Sequence, residues 1–167
     1  MSKNLINSLI DYHIWANRQV WECVTALSDE AFTAEVDYSI GSIHNHIFHL
    51  MFTDWSSVGM LQGNMPSQDD PNYLKQEDFG ERDKIRVAWD AAEAGLRAFV
   101  AVVTEEQLAN EIQLPGMDGA TFTATLAELM ISLMNHGTNH RAQLLRAIHQ
   151  AGKPTVEQGI YFYFMQR

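Results

Sequence analysis

The sequence predicts an all-α chain, a four-helix bundle with one long crossover loop. Three observations carry this. Four segments repeat apolar residues every three or four positions, the period of a single helix face. A stretch rich in Gly, Pro and charge separates the second segment from the third. Each segment shows an apolar stripe that only the other helices can cover. With 167 residues, 46% of them hydrophobic, the chain has the size and apolar content of one domain spanning residues 1–167.

The first helix runs from about Asn4 to Leu27, with Ile6, Ile10, Ala16, Val20, Val24 and Leu27 on its stripe. Ser28 caps a short turn, "SDEAF". "TAEVDYSIGS" reads as irregular, and Ser42 is a good N-cap for a second helix from about Ile43 to Leu61. That helix is apolar nearly all round and is expected to be buried. The stretch "QGNMPSQDDPNYLKQEDFGERD" reads as the crossover loop. A third helix, about Arg82 to Val103, puts Ile85, Trp89, Ala92, Leu96, Phe99 and Val103 on one face. "TEEQLANEI" adds a short turn of helix, and "QLPGMDGATF" is turn-like with a little strand character on either side. The fourth helix, about Ala124 to Ala151, stops at Gly152 with Pro154 behind it. The aromatic tail "GIYFYFMQR" is expected to pack on the bundle or on a second subunit.

A formal charge of −10 opposes nucleic-acid binding, which needs a basic face to replace phosphate counterions. Small-molecule or protein partners are expected instead. The lone Cys23 cannot form an internal disulfide. The start "MSKNLINSLIDYH" lacks a signal-peptide layout, so a cytoplasmic protein is expected. The longest apolar runs fall far short of the roughly 20 residues of a membrane span.

The chemistry concentrates in the histidines. His136 and His140, in "NHGTNHRAQLL", stand four apart in the fourth helix, about 40° apart around its axis and about 6 Å along it. They fall on the stripe Leu129, Leu133, His136, His140, Leu144, Ala147, which predicts that they point into the bundle. Inward imidazoles need partners, since a buried polar group without one costs roughly 1–3 kcal/mol. An i, i+4 pair is more often two imidazoles bonded to carbonyls or water, and a third ligand would change that balance. The second helix offers three candidates, His44, His46 and His49 in "SIHNHIFHLMFTDW". Periodicity does not choose between His46 and His49. His13 lies on the stripe of the first helix, near the same cavity, and reads equally as a core histidine bonded to a side chain. His149 reads as a surface residue.

Several chemistries are excluded. Gly137 stands where a zinc protease of the H-E-x-x-H type carries its glutamate. A di-iron bundle needs an E-x-x-H repeat, and no glutamate precedes a histidine by three. Three imidazoles and no thiolate suit one Zn²⁺, Ni²⁺ or Fe²⁺ ion with open positions. Ser132, one turn before His136, belongs to no legible Ser–His–Asp arrangement. Cys23 reads as a small core residue. Trp15, Trp21, Trp55 and Trp89 read as core, and Asp54 turns about 140° away from His49. No catalytic base is assigned.

The motifs "YHIWANRQV", "SIHNHIFHLMFTDW", "NHGTNHRAQLLRAI" and "AGKPT", in this order along nearly the whole chain, resemble those of the DinB/YfiT-like family of bacterial metalloenzymes. The resemblance implies an up-down-down-up bundle, often dimeric, with a divalent metal. It implies that His49 is the second-helix ligand beside His136 and His140. Asn139 and Ala142 depart from residues common in relatives, and neither touches this triad. Family members include S-transferases and a thiol-dependent maleylpyruvate isomerase, so the resemblance also implies a low-molecular-weight thiol as a possible cofactor. Two readings follow: a metal-dependent transferase or hydrolase acting on a small molecule, favoured by the resemblance, and a non-catalytic metal-binding or structural helical dimer. An enzyme needs an open metal position beside a pocket, and the non-catalytic reading does not.

Overall fold

The computed structural model describes residues 2–64, 67–116 and 119–167. Four long helices dominate: α1 (Lys3–Thr25), α3 (Ile43–Leu61), α4 (Arg82–Val102) and α6 (Leu126–Gln150). Three short ones, α2 (Asp29–Thr33), α5 (Glu105–Leu108) and α7 (Ile160–Gln166), sit between or after them, and β1 (Glu111–Pro115) pairs with β2 (Thr121–Thr125).

Local chemistry sets the boundaries. Ser28 and Ser42 cap α2 and α3 as their sequences predict, accepting the backbone N–H groups of Ala31 and Asn45. Thr125 and Glu128 form a reciprocal capping box that starts α6 at Leu126. The sequence places that start at Ala124, but Ala124 and Thr125 are held in the antiparallel ladder opposite Ile112 and Glu111. The strand pairing therefore overrides helix propensity there. Gly152, with φ of +73°, ends the helix in the left-handed conformation that glycine alone adopts freely. Met117 and Asp118 of the expected turn, and Met65 and Pro66 of the expected crossover loop, lie outside the described residues.

Two core clusters fix the chain directions. In one, Ile6 and Ile10 of α1 meet Leu61 of α3, Leu96 of α4 and Met130 of α6. In the other, Val20 and Val24 meet Ile43 and Ile47, Ile85 and Trp89, and Leu144 and Ile148. The start of α1 thus lies with the ends of α3 and α4 and the start of α6, an up-down-down-up bundle. Parallel neighbours α3 and α4 require the long crossover. Its Leu74 and Phe79 pack on the core, and His44 Nε2 bonds the Phe79 carbonyl at 2.8 Å. Gln76 Nε2 donates to Asn45 Oδ1 at 2.6 Å.

Among the tryptophans Trp89 is fully buried, whereas Trp15, Trp21 and Trp55 are half-buried against other aromatic rings. The tail packs in part on its own bundle: Tyr163 of α7 lies 5.6 Å from Trp15 and 6.0 Å from Tyr12, centroid to centroid. Arg167 donates to Ser8 Oγ at 2.8 Å. No helix among the described residues is long and apolar enough to cross a membrane.

Candidate metal centre

The line of α6 that faces the bundle centre is Met130, Met134, Gly137, Arg141, Leu144 and Ile148, all buried. His136 and His140 lie beside that line and are half-buried. The stripe read from the sequence is therefore rotated by about one residue, and the two imidazoles face the α3–α6 seam. The reason is that Arg141 occupies the inward position and finds partners there that the sequence of α6 alone does not reveal.

His49 of α3 meets the pair across the seam. Its Nε2 lies 2.9 Å from His136 Nε2, and its ring centroid is 4.4 Å from that of His140. Each of the three histidines offers a ring nitrogen within 4.8 Å of the others. Nitrogens bound to one ion at about 2.0–2.1 Å lie about 3–4 Å apart, so small side-chain rotations bring all three into range. The Nδ1 of His140 is buried with no hydrogen-bond partner among the described residues, which leaves its lone pair or proton unmatched.

Electrostatics favour the ligating form. Burial, reinforced by His140, His136 and His46, pushes His49 down to about 4. Burial also lowers His136, with His13 acting the same way and Asp54 opposing. His140 is lowered by burial and then by His136 and His46, against a hydrogen bond with the Gln143 side chain that favours the protonated ring. A neutral imidazole is the metal-binding form, and the neighbouring rings of the cluster penalise protonation of His49 and His140.

The other histidines are elsewhere. His46 is fully buried on α3, its Nδ1 at 3.0 Å from the Ser42 carbonyl one turn back. His149 is exposed. His13 belongs to a separate network in the bundle centre, where Asp54 Oδ1 takes His13 Nε2 at 2.8 Å and Asp54 Oδ2 takes Asn17 Nδ2 at 2.9 Å and Trp89 Nε1 at 2.7 Å. Arg141 closes it, donating to Asn17 Oδ1 at 2.8 Å and reaching His13 Nδ1 at 3.3 Å. Burial lowers the Arg141 guanidinium, with Tyr12 and Asp54 offsetting the shift. Sequence reasoning missed Gly137 and Arg141. The available signal was a glycine in a helix interior, which costs about 1 kcal/mol relative to alanine and so implies a packing reason. Cys23 is buried, with its Sγ 3.7 Å from the Gln19 carbonyl, and burial raises its thiol.

A cleft of about 260 Å³ adjoins the histidines. His136 lines it, together with Thr53 and Met60 of α3, Leu133 of α6, and Leu114 and Phe122 of the hairpin. Thr53 Oγ1 is 3.4 Å from His136 Nε2. The hairpin thus supplies the outer wall of the space beside the cluster.

Residues 1–165 match the profile of the DinB family. The chain is 24% identical to the protein DinB of Bacillus subtilis over 162 residues, covering 93% of this chain and 92% of that protein. Among solved structures, a conserved protein of Enterococcus faecalis superposes with a TM-score of 0.65 at 13% identity, covering 89% of this chain and 95% of that one. A DinB-like protein of Bacillus cereus gives 0.63 at 13%, covering 89% and 94%. A DinB-like protein of Bacillus subtilis gives 0.60 at 15%, covering 89% and 95%.

Proposed function

The chain belongs to the DinB family, and from that premise we propose that it is a mononuclear metal-dependent enzyme acting on a small molecule, with His49, His136 and His140 as the metal ligands. The observation that carries this reading is the convergence of the three imidazoles within 4.8 Å beside a cleft lined by one of them. Three protein ligands leave a position open on a four-coordinate ion, as catalytic sites do and structural sites do not. Imidazoles alone suit Zn²⁺, Ni²⁺ or Fe²⁺. When bound, such an ion supplies Lewis acidity and acidifies a water or a low-molecular-weight thiol at its open position.

The chain's own residues supply the remaining functions. His49, His136 and His140 stay unprotonated at neutral pH because burial lowers all three, with neighbouring rings of the cluster adding to the shift of His49 and His140. The hairpin and the apolar side chains of α3 and α6 give the cleft apolar walls. The Thr53 hydroxyl can hold a polar group at the histidine end. Asp54 is not free to act as a base, since His13, Asn17 and Trp89 occupy its oxygens. The chain is further proposed to act as a single domain and a homodimer, because Tyr161 and Met165 of α7 remain 68% and 66% exposed beside the ring that packs inward.

The test is a screen of metal-loaded protein against electrophilic small molecules, with and without small thiols, using His136→Ala and His140→Ala as controls. Turnover that needs metal and is lost in both variants is expected. Turnover that persists in both places the chemistry elsewhere. A metal-loaded chain inactive on every substrate class returns the reading to a non-catalytic metal-binding bundle.

A further inference from the structure

The cleft beside His136 has an unusual lining for a site next to a cation. Its side chains include Met60, Leu114, Phe122, Leu129 and Leu133, and besides His136 its polar side chains are the hydroxyls of Thr53, Ser57 and Ser132. Among the described residues that line it there is no carboxylate, lysine or arginine, although the whole chain carries 32 charged residues of those four kinds (11 basic plus 21 acidic). A charged ligand entering here would lose its hydration with no ionic partner except at the histidine end.

A second apolar hollow, of about 310 Å³, lies along the hairpin and shares Met60 and Leu114 with the first. Leu61, Ile112 and Leu126 add apolar wall, and Gly63 and Gln113 lie at its border. The alternation of β1 turns Ile112 and Leu114 inward, half-buried, while Gln113 and Pro115 are exposed and touch the hollows only at their borders, so the strand's inward side chains are apolar over both. The chain therefore offers a path that begins at His136 and the Thr53 hydroxyl and continues as hydrocarbon surface past Leu114.

We propose that this path binds an uncharged, elongated, mainly apolar small molecule, an alkyl or aryl chain whose one hydrogen-bonding end group lies at His136 and whose tail passes Leu114 into the second hollow. The inference deepens the enzyme reading and rests on it for the placement of the reacting end. Binding of the tail rests on the apolar walls alone. Hydrocarbon buried in such a path tightens binding about fourfold for each methylene added, until the space is filled.

The experiment is a calorimetric or NMR titration of metal-free protein with straight-chain primary alcohols from butanol to decanol, and with the carboxylates and ammonium ions of the same lengths. Affinity is expected to rise about three- to fourfold per methylene for the alcohols, and the charged series to bind at least tenfold more weakly. Leu114→Asn, at the junction of the two hollows, is expected to flatten the series for the longer alcohols. Phe122→Ala, on the outer wall, is expected to weaken it at every length, and circular dichroism verifies that both variants remain folded. A length-independent alcohol series, or carboxylates binding as tightly as alcohols, overturns the proposal. Metal uptake is measured separately. A failed alcohol series with metal uptake intact overturns the ligand class alone, and an intact series without metal uptake upholds the ligand class and overturns the metal centre.

Discussion

His13 Nε2 lies 2.8 Å from Asp54 Oδ1, joining α1 to α3 through the bundle centre with both side chains almost wholly buried. Arg141 donates only, so His13 Nδ1 is the acceptor facing it and the His13 Nε2–H donates to the carboxylate. Asp54 thereby collects three donors from two other helices and balances one buried guanidinium. Asp54→Ala strands those donors and leaves Arg141 without a counter-charge, so a loss of about 3–5 kcal/mol is expected. Urea denaturation measures it. A loss under about 1 kcal/mol would show that water replaces the carboxylate at little cost.

Gly137→Ala reverses the usual helix rule. Alanine normally stabilises a helix interior by about 1 kcal/mol over glycine. Here an added Cβ would stand 2.5 Å from His13 Cε1 and 2.7 Å from Arg141 Nη1, and the His13 ring is pinned by Asp54. We expect a net destabilisation of about 1–3 kcal/mol and weaker metal binding, because Gly137 adjoins His136. Thermal melting of the metal-free variant gives the sign directly. A raised melting temperature would show that the network yields to the methyl.

The metal assignment predicts one divalent ion per chain and at least a tenfold weaker affinity when His49, His136 or His140 is changed to alanine, since each is one of three protein ligands. His46→Ala should keep its metal, because the His46 Nδ1 is bound to the Ser42 carbonyl of its own helix. Elemental analysis after dialysis distinguishes the four variants. Metal lost from His46→Ala and kept by His49→Ala would exchange their roles.

The metal-free chain should lose stability in mild acid. His49 falls from 6.5 to about 4 on folding, so between those values the unfolded chain binds the proton that the folded chain refuses. Stability therefore rises with pH across that window, is fully present above 6.5, and is lost as pH falls toward 4. His136 and His140 are lowered too and add in the same direction. Urea midpoints of wild type and His49→Gln across that window should converge as the pH falls. Parallel profiles would show that His49 is not held unprotonated by the fold.

Association is expected through α7. Tyr163 packs inward on Tyr12 and Trp15, while Tyr161, Phe162, Phe164 and Met165 present an apolar outer surface of the kind that marks interfaces. Light scattering at micromolar concentration should give a dimer, and Tyr161→Lys with Met165→Lys should shift it to monomer. A wild-type monomer with α7 still ordered would assign the tail to its own bundle.

Local chemistry determined the elements. Ser28, Ser42 and Gly152 mark helix ends because capping is decided by residues adjacent in the chain. The i, i+4 spacing of His136 and His140 likewise fixes their proximity whatever surrounds them. The resemblance selected His49, and the fold brings it, and not His46, against that pair. What only the tertiary structure decided depends on partners from other helices. Asp54, Asn17 and His13 place Arg141 and Gly137 on the central line of α6, which turns the two histidines toward the α3 seam. The β1–β2 ladder shortens α6 and walls the cleft. Each of these is a contact between segments distant in sequence, where burial of a charge or a change of period is stabilised only by the group it meets.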